Sequence, residues 1–419
     1  MGQVMVSGDS DFETLVAALD SKSSIERISA QEEIERRGSD GALKIQQAIQ
    51  SGDLKSRGRM HAIWILAHVR AEDSLEDLFR LAETDSDPRV RAQAVRALAD
   101  LTDPVLAEHK LSAVHADPGV IARLARLVKV NQDSRLALEV IVALGRLQWS
   151  GAPGWLRDNL GTLKPDPALE HAATQMLRRS QNWEAVLLLL DEADPEAAQG
   201  AGLHRLALRA VANEADETVV DGLIARLKNE ADPRRRGEYV DMLSRVYKKP
   251  APWTYWGFRP APRPANPVRW ERTSAIQQAL GQALVDTDPD VRMLALKQMR
   301  REDVPVLLES LAAWLSTEKE TQRVAMLLES LSDFTPLEVR PLLEGVLQDK
   351  LHADANRLTA LAAWSGGLKP GDEPHLLRVA QALDEGQVLA ALLRDLGTRD
   401  QVKSDLLLLE KLDSTVAVV

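Results

Sequence analysis

The sequence predicts an all-α chain: an α-solenoid of about ten stacked helix pairs, interrupted near its middle by one insertion rich in proline and aromatic residues. Three observations carry this. Asp85-Ser86-Asp87-Pro88-Arg89-Val90-Arg91 returns as Asp286-Thr287-Asp288-Pro289-Asp290-Val291-Arg292. Behind these motifs the apolar residues fall three and four apart, which is one helix face and no strand. Helical stretches then alternate with a period of about 30–36 residues, the range of helical repeats.

Each helix start has a physical reason. Aspartate caps the free backbone N–H groups of a first turn, and proline suits the first helical position. Weaker Asp-Pro steps stand at Asp166-Pro167, Asp194-Pro195 and Asp232-Pro233. After Asp87 come Val90, Ala94, Val95, Leu98 and Leu101; after Asp133 come Leu136, Val140, Ile141, Leu144 and Leu147 at identical spacing. Second helices of pairs are expected to start near Ser23, Asp53, Asp87, Asp133, Asp166, Asp194, Asp232, Asp288, Glu318 and Ala353. First helices are expected over Leu75–Ala82, Leu156–Leu163, Val219–Leu227, Ile276–Val285, Val306–Leu315 and Leu337–Leu347. Two gaps exceed the period: the connector Asp103–Pro118 and the insertion Lys248–Trp270. Residues 1–247 and 271–419 therefore read as repeats on either side of the 248–270 insertion, in one continuous solenoid.

Composition narrows the chemistry. The 419 residues are 45% hydrophobic but only 4% aromatic, so the core must be aliphatic. Lys+Arg 52 against Asp+Glu 63 gives a net charge of -11, which disfavours nucleic acid unless a basic face is localised. The absence of cysteine excludes disulfides, thiolate metal sites, cysteine nucleophiles and c-type haem attachment. No apolar run reaches the roughly 18–20 residues that span a bilayer, so no membrane insertion is expected. The opening residues lack the basic and apolar regions of a secretory signal, and Val6 stands where myristoylation wants Ser or Thr.

The Asp-x-Asp-Pro-x-Val-Arg motif, with small and aliphatic residues behind it, resembles a HEAT repeat, and such pairs cover almost the whole chain. The segment Pro252-Trp253-Thr254-Tyr255-Trp256-Gly257-Phe258-Arg259-Pro260-Ala261-Pro262-Arg263-Pro264-Ala265-Asn266, followed by Trp270-Glu271-Arg272, resembles something narrower. With Arg59-Met60-His61-Ala62-Ile63-Trp64 it is similar to the HEAT-repeat middle of large exported planctomycete proteins that join a β-propeller dehydrogenase-like domain to a c-type cytochrome. The chain has neither a propeller nor Cys-x-x-Cys-His, so dehydrogenase and haem chemistry do not transfer. The resemblance implies an exported location if the chain is a piece of such a fusion, and a cytoplasmic one if it is complete. The apolar ending Thr415-Val416-Ala417-Val418-Val419 fits a cut edge, where a capping repeat is polar.

The insertion is the strongest binding signal. It holds five bases, no acid, six prolines and five of the chain's 16 aromatic residues. Proline and the residues before it keep the backbone extended. A stiff loop displaying Trp, Tyr and Arg has the composition of an interface hot spot. Trp253, Tyr255, Trp256, Phe258, Arg259, Arg263, Arg269 and Trp270 are the expected partner-binding residues. The competing reading is a loop that folds over the solenoid and completes its core.

Other constellations point to no catalysis. The eight histidines form no His-x-x-x-His or His-Glu pair; Glu108-His109 and Glu170-His171 run the other way. His61 and His68 lie about two turns apart, too far for one metal ion, and His61 falls in the slot that Val95 fills one repeat later. Neither Gly-x-Ser-x-Gly nor a phosphate-binding glycine loop occurs. Asp87 and Asp288 are expected to cap helices, with Arg91 and Arg292 reaching acids of neighbouring repeats. Trp64, Trp314 and Trp364 read as core. The function expected is a non-catalytic scaffold or protein-docking module that binds a protein partner or neighbouring domain, needs no cofactor or metal, and forms the helical part of a larger redox protein if the resemblance holds. Two alternatives are a HEAT-like DNA glycosylase, which needs a basic face, and a tetrapyrrole (bilin) lyase-like protein, which needs a groove of clustered His, Tyr or Arg.

Overall fold

The computed structural model describes residues 7–110, 116–131, 133–162, 166–191, 198–252, 267–368 and 372–398, with positions 407, 409 and 411. Among these residues the secondary structure is helical throughout, apart from one isolated antiparallel bridge between Lys249 and Val268. No helix is long and apolar enough to cross a membrane. The chain divides into two compact units, Met1–Gly222 and Leu223–Val419. The division falls inside the Glu217–Asn229 helix.

Capping explains where the helices begin. Ser23, Asp87, Asp133, Asp166, Asp232 and Asp288 each accept a hydrogen bond from a first-turn backbone N–H. Four of these aspartates are followed by proline at the first helical positions. The Asp194-Pro195 step lies outside the described residues.

Two expected starts are displaced by two residues. The second pair's second helix is Ser56–Arg70, capped by no side chain of its own. Asp20, from the preceding pair, takes over by accepting from Lys55 N and Gly58 N, both at 2.7 Å. A Cβ on Gly58 would lie 2.7 Å from the Asp20 carboxylate, so only glycine admits this borrowed cap. The shift moves Ile63, fully buried, into the slot equivalent to Val95. His61 is instead half-buried: its Nδ1 lies 2.6 Å from Gln31 Oε1, and Arg27 donates to its Nε2 at 3.3 Å. Burial, and then the Arg27 cation, lower the His61 pKa, which suits a neutral ring accepting at Nε2. Likewise Thr321–Leu331 is capped by Glu320 rather than Glu318.

Four other helices depart from expectation. The Asp103–Pro118 connector contains the short Pro104–Ala107 helix, because the Asp103 side chain accepts from Val105 N. A short Trp183–Leu188 helix, started by Asn182, has no repeat-length signal of its own. A final pair, Glu373–Ala382 and Gln387–Gly397, follows the last expected start; it lacks an Asp-Pro step, yet Leu389, Leu392 and Leu396 are buried.

An arginine ladder ties the repeats together. The residue four after the cap is arginine in six of the second helices; Arg27 turns to Ser21 O and faces His61 of the next repeat, and the other five are Arg59, Arg91, Arg236, Arg292 and Arg357. Each turns back to a carbonyl ahead of its own helix: Leu54, Asp85, Glu230, Asp286 and Leu347, respectively. Each also faces an acid of the next repeat. Arg59 pairs with Asp85 at 2.7 Å, Arg236 with Asp286 at 2.9 Å and Arg357 with Asp384 at 3.0 Å. Arg91 and Arg292 reach Asp133 and Glu318 at 4.0 and 3.8 Å, as the sequence led one to expect.

The core is aliphatic. Leu98 and Leu144, equivalent in two repeats, are both fully buried. Gly145 allows the Ser134–Arg146 helix to approach Pro167–Ser180 closely, since a Cβ there would stand 3.1 Å from the Met176 Cα. Trp314 and Trp364 are core residues, with indole N–H groups bonded to Glu318 and Glu344. Trp64 is not: it is only half-buried.

Candidate protein-docking surface

Within Met1–Gly222, the second helices of four successive pairs lie side by side: Ser56–Arg70, Pro88–Thr102, Ser134–Arg146 and Pro167–Ser180. Counted from the caps, Trp64, Arg96, Val142 and Gln175 occupy one equivalent outward position. They line an open groove of about 730 Å³. Its apolar surface comes from Trp64, Leu138, Val142, Ala168 and Met176, with Val142 40% exposed. One pair earlier, on Ser24–Arg36, Ile25 and Ile28 are 72% and 49% exposed. Isolated exposed aliphatics mean little; here apolar residues of three helices share one groove, with Gln93, Arg96 and Asp100 of Pro88–Thr102 between them.

Two of the arginines around the groove are paired with acids, and Arg179, also in the lining, is exposed. Arg96 donates to Glu139 at 2.8 Å, and Arg146 bonds Asp100 at 2.6 Å and Asp103 at 3.1 Å. A glycosylase-like reading would need uncompensated cations here, and a bilin-lyase reading would need clustered His and Tyr. The lining holds one histidine, His171, and no tyrosine. Sequence pattern misses this surface because Trp64 obeys helical spacing whether it faces inward or outward.

Of the residues expected to bind a partner in the insertion, Trp253, Tyr255, Trp256, Phe258, Arg259 and Arg263 lie outside the described residues. Arg269 is exposed. Trp270 is 9% exposed, and its indole donates to Val246 O at 2.8 Å, so it anchors the foot of the insertion instead of offering a free face. Thr273 Oγ1 donates to Tyr247 O and accepts from Trp270 N. Lys249 and Val268 close the foot with paired backbone hydrogen bonds of 2.8 and 3.1 Å, and the Lys249 ammonium lies 5.7 Å from the Trp270 ring centre. The helix spacing already ended at 247, but nothing in the sequence distinguishes an anchoring Trp270 from a displayed one.

A family model described as HEAT repeats matches residues 12–99 and again 42–145. The groove described above extends from the matched residues onto the next helix pair. Among solved structures, the chain is similar to the karyopherin Kap121p bound to the extreme C-terminus of the protein phosphatase Cdc14p. Identity is 16% and the TM-score 0.44, over 91% of this chain and 44% of that one. It is also similar to a chain of the Kap95:Nup1 complex (12% identity, TM-score 0.32, 93% and 58% covered) and to importin beta (13%, 0.30, 88% and 48%). The chain thus spans less than half the length of Kap121p. No curated protein matches. These matches lend no support to the resemblance to exported planctomycete fusions.

Proposed function

We propose that this chain is a non-catalytic HEAT-repeat scaffold on which a protein segment docks along the second-helix face of residues 24–180. The observation that carries the reading is an open groove lined by the half-buried Trp64 and, two helices further on, the exposed Val142, with Arg96 between them. A large aromatic and an aliphatic side chain lining one groove supply the kind of anchor that interface cores rely on. The ion-paired Arg96 and Arg146 suit a polar rim around that anchor.

Selection of a displayed library of helical peptides on the intact chain tests this. Binders should appear, and Val142→Asp should weaken them at least tenfold without altering the circular dichroism melt. Binders indifferent to Val142→Asp, or a duplex DNA oligonucleotide bound at physiological salt in their place, would overturn it.

The insertion serves as a second contact in this proposal, with Arg259, Arg263 and Arg269 forming a basic rim for an acidic partner or neighbouring domain. The composition of 248–270 supports that role. The narrower reading, that the chain is the helical part of a larger exported redox protein, rests on the 252–272 segment together with residues 59–64.

A further inference from the structure

A second groove lies inside the Leu223–Val419 unit, between the Pro233–Arg245 and Pro289–Arg301 helices, with a volume of about 700 Å³. Gly237 and Leu294 lie along its apolar side. A Cβ on Gly237 would stand 3.1 Å from Leu294 Cδ2, so glycine keeps that side open. Acids outnumber bases along the lining. That excess by itself is ordinary capping chemistry, since Asp232 and Asp288 both cap helices.

Gln298 is what distinguishes this groove. It lines the groove and is 7% exposed. Its Nε2 donates to Asp241 Oδ1 at 2.8 Å, while its Oε1 is buried and has no hydrogen-bond partner. Turning the amide over would not help, because Oε1 would then face the Asp241 carboxylate, acceptor against acceptor. The nearby cations are engaged elsewhere: Arg245 and Arg301 sit 2.7 and 3.6 Å from Asp241. A buried acceptor left unpaired destabilises the fold, so its persistence asks for a donor from outside.

We propose that this groove receives a lysine side chain from a partner protein, with its ammonium donating to Gln298 Oε1. The aliphatic stem would lie over Gly237 and Leu294, and the excess of acids along the lining, five against three arginines, would supply the negative field. Lysine fits better than arginine because one orphan oxygen suits a compact ammonium with three rotatable donors. A planar guanidinium seeks two coplanar acceptors, and the Asp241 oxygens already receive Arg245 and Gln298. A partner segment fits better than a free amine because the two helices are 13 residues each, which is about 20 Å of groove. That length leaves room for chain on both sides of the lysine.

The test is a titration of the full chain with acetyl-Gly-Gly-Lys-Gly-Gly-amide at physiological salt, followed by the backbone amide resonance of Gly237. Peptides carrying norleucine or arginine in place of lysine, and spermidine, form the comparison arms. A saturable shift is expected with the lysine peptide, at least tenfold weaker with norleucine and weaker with arginine or spermidine. Gln298→Met should lower lysine-peptide affinity at least tenfold with an unchanged circular dichroism spectrum. Gly237→Ala, a change that favours helix, should weaken binding by narrowing the groove, with the readout moved to Leu294. Norleucine binding as well as lysine, Gln298→Met binding undiminished, or no saturable shift would each overturn the site. Equal binding of spermidine would overturn the partner-segment assignment, and preference for arginine would overturn lysine. None of these outcomes depends on the Trp64 groove, so the two proposals fail separately.

Discussion

Glu318 is a 7% exposed carboxylate that stays charged, and its surroundings show how. Burial alone would raise its pKa. Arg323 at 2.8 Å, the backbone N–H of Glu320 and the Trp314 indole outweigh that and hold it at about 2, against an ordinary 4.5. A carboxylate with a depressed folded pKa adds stability above its unfolded pKa, and that stability is lost as pH falls through the folded value. The window here runs from about pH 4.5 down to about 2. The shift corresponds to about 3 kcal/mol. Glu318→Gln should therefore be less stable than the parent by about 2–3 kcal/mol at pH 7, with the gap closing towards pH 2. Urea midpoints at pH 7 and pH 3 would check this, and a gap independent of pH would contradict it. The same scale explains the doubled aspartate of the repeat motif. Asp87 and Asp288 cap their own helices, while Asp85 and Asp286 receive the arginine of the preceding repeat and accept from the cap residue's N–H at 2.8 Å.

At the scale of elements, the foot of the insertion behaves as part of the solenoid. Trp270 is buried and bonded to Val246 O, so Trp270→Ala should cost about 3–5 kcal/mol and lower the melting temperature clearly. Arg259→Glu with Arg263→Glu should leave that temperature within a few degrees and abolish binding of an acidic partner. Melting curves of both variants separate the roles. Unfolding of the double arginine variant, with binding never affected, would make the insertion purely structural. Gly58 and Gly145 act at this scale too. Each removes a side chain where one helix meets the Asp20 carboxylate or the Met176 backbone. The displaced start of Ser56–Arg70 follows from the first of these contacts.

For the whole molecule, stability should be a sum of neighbouring-pair terms, because in the Met1–Gly222 unit the second helices pack in succession, each on the one before and the one after it. Leu144 is fully buried on the Ser134–Arg146 helix, between Pro88–Thr102 and Pro167–Ser180. Leu144→Ala should cost about 2–5 kcal/mol. Hydrogen exchange should rise first in those flanking helices and least in the Leu223–Val419 unit. Equal loosening of every helix in both units would contradict a nearest-neighbour stack.

The helical class, the repeat period, the Asp-capped starts and the buried row from Val90 to Leu98 are legible in the sequence alone. These depend on residues within one helix, where cap chemistry and 3.6-residue spacing act locally. Tertiary structure decided which helix would borrow its cap, which brought Asp20 to Lys55 and Gly58 and moved His61 out of the Val95 slot. It decided that Trp64 faces a groove while Trp314 and Trp364 face the core, because helical spacing names a face without saying what lies against it. It also decided that Trp270 is an anchor and that Gln298 keeps an unpaired oxygen. Those facts depend on Val246 and Asp241, residues 24 and 57 positions away along the chain. No local pattern reports which distant residue the fold will set against a side chain.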